Sequence, residues 1–544
     1  MTTRLILSAG LFFSVALAPA RVLAQGATEV IPPAAYCNAS APAATASLTG
    51  PAWNGWGVTV ANTRFQSAEG AGLTAGDVPR LTLKWAFAFP NISEASAQPA
   101  VVGGRVYVGS WGGEVYSLDA KTGCVYWAVK TQAAVRSAVS VGRAGNGMLM
   151  AYFGDWSATV YGVDAATGKL QWKTKVDDHP LAKLSSSPTL HDGRLYVGVA
   201  SGEEGEAGNP AYECCTFRGS VVALDGATGR QIWKTYMVAE TPVRTEKNAR
   251  GTQRWGPSGA AVWSAPTVDP RLRAVYVATG NNYSPPGTPA SDAVVALEID
   301  SGKIRWTRQL VKDDTWNTSC QPRMPDHANC PDMEDPDFDF GSSPILVELA
   351  GGRRMLVAGQ KSGLVYGLEP ERGMLVWEQR VGKGGTQGGV LWGPAADTEA
   401  AYVAVSDATR VGATTDFDPT LGGGLVAIDL ITGAKRWSAP ALPCREMNKS
   451  CSPAQAAAVI VIPGIVFSGS ADGHLRAYST RDGKIVWDYD TVREYATVNG
   501  IKGKGGTINN GGPAIAGGMV FTNSGYNHIT GIYPGNVLLA FGVD

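Results

Sequence analysis

Eight cysteines are the residues of this chain that can link to one another covalently: Cys37, Cys124, Cys214, Cys215, Cys320, Cys330, Cys444 and Cys451. An even number behind an export signal predicts disulfides in an oxidising compartment. The spacing favours two local loop closures, Cys320–Cys330 and Cys444–Cys451, and a long-range link between Cys37 and Cys124. Cys214-Cys215 then remains as an adjacent pair. Its bond would close an eight-membered ring, which suits a place that needs rigidity or redox behaviour, although either cysteine can instead pair elsewhere.

Zinc and covalent haem are not expected. The five histidines are scattered along the chain without the spacing of zinc ligands. No Cys-x-x-Cys-His motif occurs, so the chain carries no attachment site for c-type haem. The formal net charge of −1 gives no sign of a nucleic-acid or acidic-membrane partner. Beyond the N-terminus, no apolar run is long enough to span a bilayer.

The N-terminus predicts export. Residues 1–24 combine Arg4, an apolar stretch from Leu5 to Ala18 and the small-residue ending Val22-Leu23-Ala24, which is the pattern of a cleaved secretory signal. A short membrane anchor is the alternative, but the apolar stretch favours a signal because it is short. Residues 25–52, rich in alanine and proline, are predicted to form a loose leader.

One phrase recurs seven times along the chain: a turn that ends in glycine, three residues, then tryptophan. The pairs are Gly123/Trp127, Gly168/Trp172, Gly229/Trp233, Gly302/Trp306, Gly373/Trp377, Gly433/Trp437 and Gly483/Trp487. A short apolar strand precedes each copy. In its Asp-x-x-Thr-Gly form the turn is tight, because Asp bonds the nearby backbone and Gly accepts a positive φ. An eighth tryptophan, Trp85, ends a degenerate first copy.

These repeats predict an all-β fold. A four-stranded unit of this length cannot bury its own face, so it needs a neighbour. Eight tryptophans therefore predict an eight-bladed β-propeller over residues 53–544, with the tryptophans docked as packing residues. Their spacing grows from 42 residues between Trp85 and Trp127 to 73 between Trp233 and Trp306. The middle blades must carry loop insertions, and we expect the functional site among them.

The repeat phrase A-x-D-x-x-T-G-x-x-x-W resembles the tryptophan-docking motif of quinoprotein alcohol dehydrogenases, and residues 61–65 (ANTRF) resemble that family's N-terminal signature. The resemblance covers residues 53–544. Segments 201–205, 213–225 and 337–346 are most similar to the polyvinyl alcohol dehydrogenase group, without the haem domain that some of its members carry. The resemblance implies that pyrroloquinoline quinone (PQQ) and Ca²⁺ lie on the propeller axis.

The resemblance also implies the ligands of the cation, which is hard and needs oxygen donors. Glu204 matches the family's calcium carboxylate, with Glu203 as the other register. Asn281 matches the calcium-binding amide, with Asn282 as the other register. Either pair alone is equally compatible with a solvated turn. Asp339 is the third implied ligand.

PQQ is a flat tricarboxylate, which favours an aromatic floor and cationic or hydroxyl groups at its edges. Trp263 lies outside the Gly/Trp repeat and matches the family's stacking indole, although a core tryptophan is the alternative. The other positions that match cofactor contacts are Arg136, Ser185, Lys361, Asn509 and Gly511. Lys361 lies in a turn flanked by glycines, where a lysine side chain is usually exposed to solvent, so its role follows from the resemblance.

The adjacent cysteines resemble the family's vicinal disulfide above the quinone, so the resemblance implies cofactor contacts for Cys214 and Cys215. Methanol dehydrogenases have this pair shortly before the arginine matched here by Arg136, where this chain has Ala133 and Ala134. The position agrees better with the polyvinyl alcohol group. Whether the disulfide covers the cofactor in the same way stays open.

Alcohol oxidation needs a base for the hydroxyl proton, and the family uses an aspartate just before a strand of a middle blade. Alignment without gaps gives Asp339, and Asp337 is the other register. A buried carboxylate beside Ca²⁺ stays ionised because the cation favours the charged form. The Trp316-Asn317 step is a third candidate position, but this chain has Asn where the family often has Asp.

The sequence thus predicts a periplasmic dehydrogenase that uses PQQ and Ca²⁺. Its expected substrate is a polymeric or secondary alcohol, in the first place polyvinyl alcohol, and its expected electron acceptor is a separate cytochrome c. The alternative is an exported β-propeller scaffold for protein assembly, without a cofactor. A scaffold has no need for Glu204, Asn281, Asp339, Lys361 and an adjacent cysteine pair together.

Overall fold

A computed structural model of the protein describes residues 30–38, 47–312, 314–333, 335–412, 416–445, 451–526 and 533–544. The predicted signal peptide and part of the predicted leader lie outside these ranges. Over the described residues, eight antiparallel sheets follow one another around a central axis, seven of four strands and one of five. The predicted eight-bladed all-β propeller is confirmed. No helix in the described ranges is long and apolar enough to cross a membrane.

The blades are numbered in chain order. Blade 1 comprises Ala100–Val102, Arg105–Gly109, Glu114–Asp119 and Val125–Lys130; blade 2 comprises Ser140–Arg143, Leu149–Gly154, Thr159–Asp164 and Leu170–Lys175; blade 3 comprises Thr189–His191, Arg194–Ser201, Ser220–Asp225 and Gln231–Tyr236, with Ala182–Lys183 added to its second strand; blade 4 comprises Thr267–Asp269, Ala274–Ala278, Ala293–Glu298 and Ile304–Gln309. Blade 5 comprises Ile345–Glu348, Arg354–Gly359, Leu364–Leu368 and Leu375–Arg380; blade 6 comprises Ala395–Ala396, Ala400–Val405, Gly424–Asp429 and Lys435–Ala439; blade 7 comprises Ile460–Ile462, Ile465–Gly469, His474–Ser479 and Ile485–Asp490; blade 8 comprises Ala514–Ala516, Met519–Ser524, Val537–Gly542 and, from the N-terminal side, Thr82–Ala88.

The remaining elements are short. They are the helices Ala68–Ala71 and Glu203–Glu206, the 3-10 turns Pro33–Ala35, Val78–Arg80, Thr318–Cys320 and Ala350–Gly352, and the strand pairs Val243–Lys247 with Gln253–Gly256, Ser258–Gly259 with Asn282–Ser284, and Glu494–Tyr495 with Gly503–Lys504.

Trp85 does not end a blade of its own at the start of the ring, and this part of the sequence prediction is wrong. Its strand, Thr82–Ala88, pairs antiparallel with Val537–Gly542 and completes blade 8. The first and last parts of the chain therefore share one sheet. This pairing closes the ring, because the two ends of the chain are joined by backbone hydrogen bonds within one blade.

The tryptophans dock between blades as the repeat predicts. Trp127 of blade 1 lies against Gly168 of blade 2, where a Cβ atom would come within 2.8 Å of the indole. The indole Nε1 donates a hydrogen bond of 3.1 Å to the Ala165 carbonyl in the same turn. Equivalent bonds join every docking tryptophan to the next copy; the acceptor carbonyls are those of Ala120, Ala165, Gly226, Ile299, Pro370, Leu430, Thr480 and, across the seam, Leu81. The glycine is required because it combines a positive φ with an indole at contact distance.

The ANTRF phrase closes one end of the axis. The backbone around it bonds to the innermost strands of several blades, for instance through Val268 N–H to the Val60 carbonyl and Leu346 N–H to the Ala61 carbonyl. Arg64 is fully buried and donates to the carbonyls of Val459 and Trp56. Burial lowers the pKa of this guanidinium to about 9. The other end of the axis is left for the functional site.

All four expected disulfides are present: Cys37–Cys124, Cys214–Cys215, Cys320–Cys330 and Cys444–Cys451. The first ties the leader to blade 1, where Tyr36 also forms a parallel bridge to Val125. The third closes the insertion between blades 4 and 5. This insertion is therefore closed covalently on itself.

Candidate functional site

The predicted site residues occupy equivalent positions in successive blades. Glu204, Asn281 and Lys361 each follow the second strand of a blade, in blades 3, 4 and 5 respectively. Trp263 and Asp339 lie in the connections that precede the first strands of blades 4 and 5. In an antiparallel blade these turns and these connections emerge at the same edge. The fold thus brings together residues that are up to 157 positions apart, as Glu204 and Lys361 are.

Three carboxylates meet at this edge. One oxygen each of Glu204, Asp337 and Asp339 lies within 4.8 Å of the other two. Burial and the neighbouring Asp339 raise the pKa of Glu204 to about 7, even though Lys361 and Lys183 act in the opposite direction. Burial is also the main cause that raises the pKa of Asp337. Such a concentration of buried negative charge needs cations.

Lys361 supplies one of these cations. Its Nζ donates to Asp337 Oδ1 at 2.8 Å and to Asp339 Oδ2 at 2.6 Å, and all three side chains are buried. Burial alone would lower the pKa of Lys361, but Asp337, Asp339 and Glu204 raise it above its ordinary value. The ammonium is therefore charged and holds the two aspartates in fixed positions.

Asn281 offers an oxygen that has no donor. Its backbone N–H donates to Asp339 Oδ1 at 2.8 Å, and its Nδ2 donates to the carbonyls of Trp316 (2.5 Å) and Asn282 (2.8 Å). These bonds fix the orientation of the amide. Its Oδ1 is buried and has no hydrogen-bond partner among the described residues. A buried acceptor without a partner is costly, and a hard cation beside Asp339 would satisfy it.

The alternative registers are occupied by structural bonds. Glu203 is fully buried and accepts bonds from Tyr212 Oη (2.9 Å), Thr216 N–H (2.8 Å) and Phe217 N–H (2.7 Å). Asn282 accepts from Thr288 N–H and donates to the Ser258 carbonyl. The geometry therefore favours Glu204 and Asn281 as cation ligands.

The third candidate position is likewise structural. Asn317 donates to the carbonyls of Tyr283 and Asn329 and caps the turn that begins at Thr318. Its side chain fastens the insertion between blades 4 and 5. Its neighbour Trp316 is part of the site. The Trp316 carbonyl accepts a hydrogen bond from Asn281 Nδ2, and Trp316 lines the cavity above the carboxylates.

A cavity of about 620 Å³ opens above the carboxylates. The predicted residues that line it are Arg136, Ser185, Glu204, Trp263, Asp337, Asp339 and Lys361. Trp263 separates this cavity from a narrow void toward the axis, and it packs edge-on against Trp392 at 5.3 Å between ring centroids. The Lys361 ammonium lies 5.6 Å from the centre of the Trp263 ring. A flat ring system placed on Trp263 would thus lie beside the cluster of carboxylates.

Cationic and hydroxyl groups surround the same floor. The Arg136 guanidinium lies over the Trp392 ring at 4.2 Å. Ser185 Oγ is buried and has no hydrogen-bond partner within the described ranges. Lys183 lies 4.6 Å from the centre of the Trp156 ring, and burial followed by repulsion from Arg136 lowers its pKa to about 8. These groups complement the edges of an anionic planar ligand.

Two of the predicted contacts lie beneath the floor. Gly511 lines the narrow void on the far side of Trp263, together with Asn510. Asn509 Oδ1 accepts from the Ala456 backbone N–H at 3.2 Å. Neither is among the residues that line the larger cavity.

The adjacent cysteines lie behind the cavity wall. Cys214 and Cys215 are buried in the same hydrophobic cluster as Ala261 and Tyr283, which do line the cavity. Backbone bonds with Trp255 hold the pair on both sides. Glu203 fastens the residues that follow the pair, so the disulfide is tied to the helix that carries Glu204.

This link leads to a prediction for Glu203→Gln. The amide has one oxygen where the carboxylate used two to accept the Thr216 and Phe217 N–H groups, so we expect the helix that presents Glu204 to be displaced. The free energy of unfolding should fall by about 1–3 kcal/mol, because one buried N–H group loses its acceptor, and urea unfolding measures this loss. Glu206→Gln, on the exposed side of the same helix, is the matched control. Equal free energies of unfolding for both variants and the wild type would contradict the prediction.

Several cavity residues escaped the sequence analysis. They are Trp156, Lys183, Tyr283, Trp392 and Tyr526. Tyr283 directly follows Asn281-Asn282, and Lys183 precedes Ser185 by two positions, so proximity to a predicted residue was the available signal. Trp392 lies outside the Gly/Trp repeat, as Trp263 does, and the same criterion could have identified it.

Two family models match the chain, and they overlap between residues 218 and 329. The family model described as the β-propeller domain of glucose, ethanol and alcohol dehydrogenases that use PQQ matches residues 53–329. A second model, described as the outer membrane protein assembly factor BamB, matches residues 218–533. Polyvinylalcohol dehydrogenase from Pseudomonas sp. is 44% identical over 90% of this chain and 77% of its own, and the enzyme of that name from Sphingopyxis sp. is 41% identical over 90% and 76%.

Solved structures share the fold. A europium-containing methanol dehydrogenase superposes with a TM-score of 0.66 at 19% identity, over 91% of this chain and 98% of its own. The quinohemoprotein alcohol dehydrogenase from Comamonas testosteroni has a TM-score of 0.64 at 19% identity, over 91% and 81%. With an identity above 40% to two relatives over nine tenths of its length, the chain belongs to the PQQ-dependent quinoprotein alcohol dehydrogenases, and within them to the polyvinyl alcohol dehydrogenase group.

Proposed function

We propose that this alcohol dehydrogenase oxidises the secondary hydroxyl groups of polyvinyl alcohol to ketones in the periplasm, with PQQ and Ca²⁺ as cofactors. The observation that carries the proposal is the cluster of Glu204, Asp337 and Asp339 with Lys361, beside the unpaired oxygen of Asn281 and above Trp263. The names of the relatives support the substrate. The four disulfides support an exported protein.

The residues present fit both cofactors. Glu204, Asp339 and Asn281 would hold Ca²⁺ through oxygen atoms, and Trp263 would support PQQ, with Arg136 and Ser185 at its carboxylates. When bound, PQQ accepts the two electrons of the alcohol and Ca²⁺ makes its reactive carbonyl more electrophilic. The cavity volume of about 620 Å³ suits a small planar ligand and one unit of substrate.

The chain itself supplies the base and its support. Asp339 is the proposed base: one oxygen accepts from Asn281 N–H and the other from Lys361 Nζ, so the carboxylate is held in place. It would take the hydroxyl proton as hydride leaves the adjacent carbon. The Lys361 ammonium holds this carboxylate next to Asp337, to which it also donates. Asp337, which shares Lys361, is the alternative base.

Electrons would pass singly to a separate cytochrome c. The alternative function is an exported scaffold that assembles other proteins, which the match to the BamB model favours. A scaffold gives no reason to bury three carboxylates and a lysine around an unpaired amide oxygen. We therefore prefer the enzyme.

The experiment that tests this function is a substrate series. Purified apo-protein is reconstituted with PQQ and Ca²⁺, and dye reduction is followed with polyvinyl alcohol, with small secondary alcohols and with ethanol. We expect rates that need both cofactors and are highest for the polymer. Activity with ethanol but not with polymer would overturn the substrate alone, and no activity with any alcohol would overturn the function.

Calcium binding should depend on pH in a stated direction. The pKa of Glu204 is raised to about 7 in the cation-free protein, so below that pH Ca²⁺ must displace a proton to reach the carboxylate. We expect the apparent affinity for Ca²⁺ to fall by up to about tenfold per pH unit below 7 and to level off above it. Calcium titrations from about pH 5 to about pH 9 would test this pH dependence. An affinity that does not change with pH would contradict it.

A further inference from the structure

A groove continues the cavity along the face of the propeller. It has a volume of about 290 Å³ and shares five lining residues with the cavity: Gln321, Arg323, Thr386, Gln387 and Arg410. Beyond them it is lined by Pro322, Gly384, Gly385, Gly388, Ala408 and Gly412. The cavity is therefore open on one side toward an elongated depression between blades 4, 5 and 6.

We propose that this groove holds the units of a neutral polyhydroxylated polymer that neighbour the unit being oxidised. The proposal rests on the proposed function, because it takes the cavity as the place of reaction. A reacting unit within a polymer has further units attached on both sides. A closed site cannot hold these units, so they need a path out of the cavity. The groove offers such a path, because it shares five lining residues with the cavity.

One wall of the groove is a firmly held insertion. Gln321 and Arg323 lie between Cys320 and Cys330, whose disulfide closes the loop. Asn329 of the same loop donates to the carbonyls of Ala207, Asn209 and Tyr212, next to the helix that carries Glu204. The loop is thus fixed to blade 3 as well as to itself, and a wall so fixed can bind a flexible polymer without being ordered first.

The opposite wall is a glycine-rich turn held by one carboxylate. Asp407 accepts the backbone N–H groups of Lys383 (2.8 Å), Gly384 (3.3 Å) and Gly389 (2.9 Å). Gly384 and Gly385 have φ values of +85° and +128°, which favour glycine, and a Cβ on Gly385 would meet no atom within 4 Å. The wall therefore exposes backbone next to open space, which admits a close-lying polymer chain.

The chemistry of the lining suits hydroxyl groups on a hydrocarbon chain. The amides of Gln321 and Gln387 and the hydroxyl of Thr386 can donate and accept, while Pro322 and Ala408 offer apolar surface to methylene groups. No carboxylate lines the groove among the described residues. Two arginines also suit an acidic surface, such as that of a protein electron acceptor. We favour the polymer because the groove leads directly into the cavity, and a protein surface would not enter it.

The test compares polymer with a small secondary alcohol in the reconstituted holoenzyme. Ala408→Trp fills the groove outside the cavity, and Ala166→Trp, in an exposed turn at the opposite edge of blade 2, is the matched control. We expect kcat/KM for polyvinyl alcohol to fall about tenfold in Ala408→Trp, while kcat/KM for 2,4-pentanediol stays within about twofold of the wild type. The control should match the wild type on both substrates.

A second variant removes donors without adding bulk. Gln321→Ala should raise KM for the polymer several-fold more than KM for 2,4-pentanediol. Equal losses on both substrates, or no loss on polymer in either variant, would overturn the proposal. A loss that appears only when a protein acceptor replaces the dye would assign the groove to the acceptor instead. If the wild type oxidises no alcohol at all, the proposed function fails, a result distinct from the failure of the groove.

Discussion

Asp339→Asn should lower kcat by about 10³-fold while PQQ remains bound. The amide keeps the size of the carboxylate and one oxygen for the cation, but it cannot accept the hydroxyl proton. The single amide oxygen can keep only one of the two hydrogen bonds that Asp339 accepts, from the Asn281 N–H or from Lys361 Nζ, so bound PQQ must be measured to show that the site is intact. The measurement is the steady-state rate at saturating Ca²⁺, with PQQ content determined by absorbance on the same sample.

The matched control is Asp337→Asn, which also removes one charge next to Lys361. We expect it to lower the rate much less than Asp339→Asn does. If the two variants exchange these results, Asp337 is the base and Asp339 serves the cation. If both variants keep the full rate at full PQQ occupancy, the base is neither Asp339 nor Asp337.

Lys361→Met should destabilise the cation-free protein by about 3–5 kcal/mol, because it leaves the buried carboxylates of Asp337 and Asp339 without their ammonium. We expect Ca²⁺ to recover part of the loss, since the cation replaces the missing charge. The measurement is the free energy of unfolding in urea with and without Ca²⁺. The loss should be larger at about pH 8 than at about pH 5. The pKa of Asp337 is raised, so its carboxylate is neutralised by protonation at the lower pH.

Lys130→Met provides the control for this experiment. Lys130 pairs with Glu114 at 2.6 Å, but its side chain is 66% exposed, so its removal should cost less than about 1 kcal/mol. An equal effect of the two substitutions would show that Lys361 does not compensate buried charge. A stabilised Lys361→Met protein that Ca²⁺ leaves unchanged would argue against a cation site at these aspartates.

The repeat allowed the fold to be predicted because each blade copies its own local chemistry. Gly168 has a positive φ and lies in contact with the Trp127 indole. Both residues can be recognised in the amino-acid sequence. The seam was not visible in the same way. Trp85 looks like the end of a first copy, and only the pairing of its strand with Val537–Gly542 assigns it to the last blade.

The site was predicted in part, for an equally physical reason. Glu203 and Glu204 are adjacent residues that follow the same strand. A shift of one position decides whether a side chain lines the cavity or is buried against a loop. The choice follows from which backbone N–H groups lie nearby, here those of Thr216 and Phe217. Trp392 comes from a single inter-blade loop, and its position outside the Gly/Trp repeat is the one sign of it in the sequence.

The proposed function requires that Glu204, Asn281 and Asp339 hold a Ca²⁺ ion on which the oxidation of polymer depends. The most direct measurement is a titration of PQQ-loaded, calcium-free protein with Ca²⁺, in which bound calcium and dye reduction by polyvinyl alcohol are recorded together. We predict that activity rises in proportion to bound calcium and saturates at about one ion per chain, and that Glu204→Gln shifts both curves alike. Full activity without calcium, or calcium bound by these residues with no oxidation of any alcohol, would contradict the account.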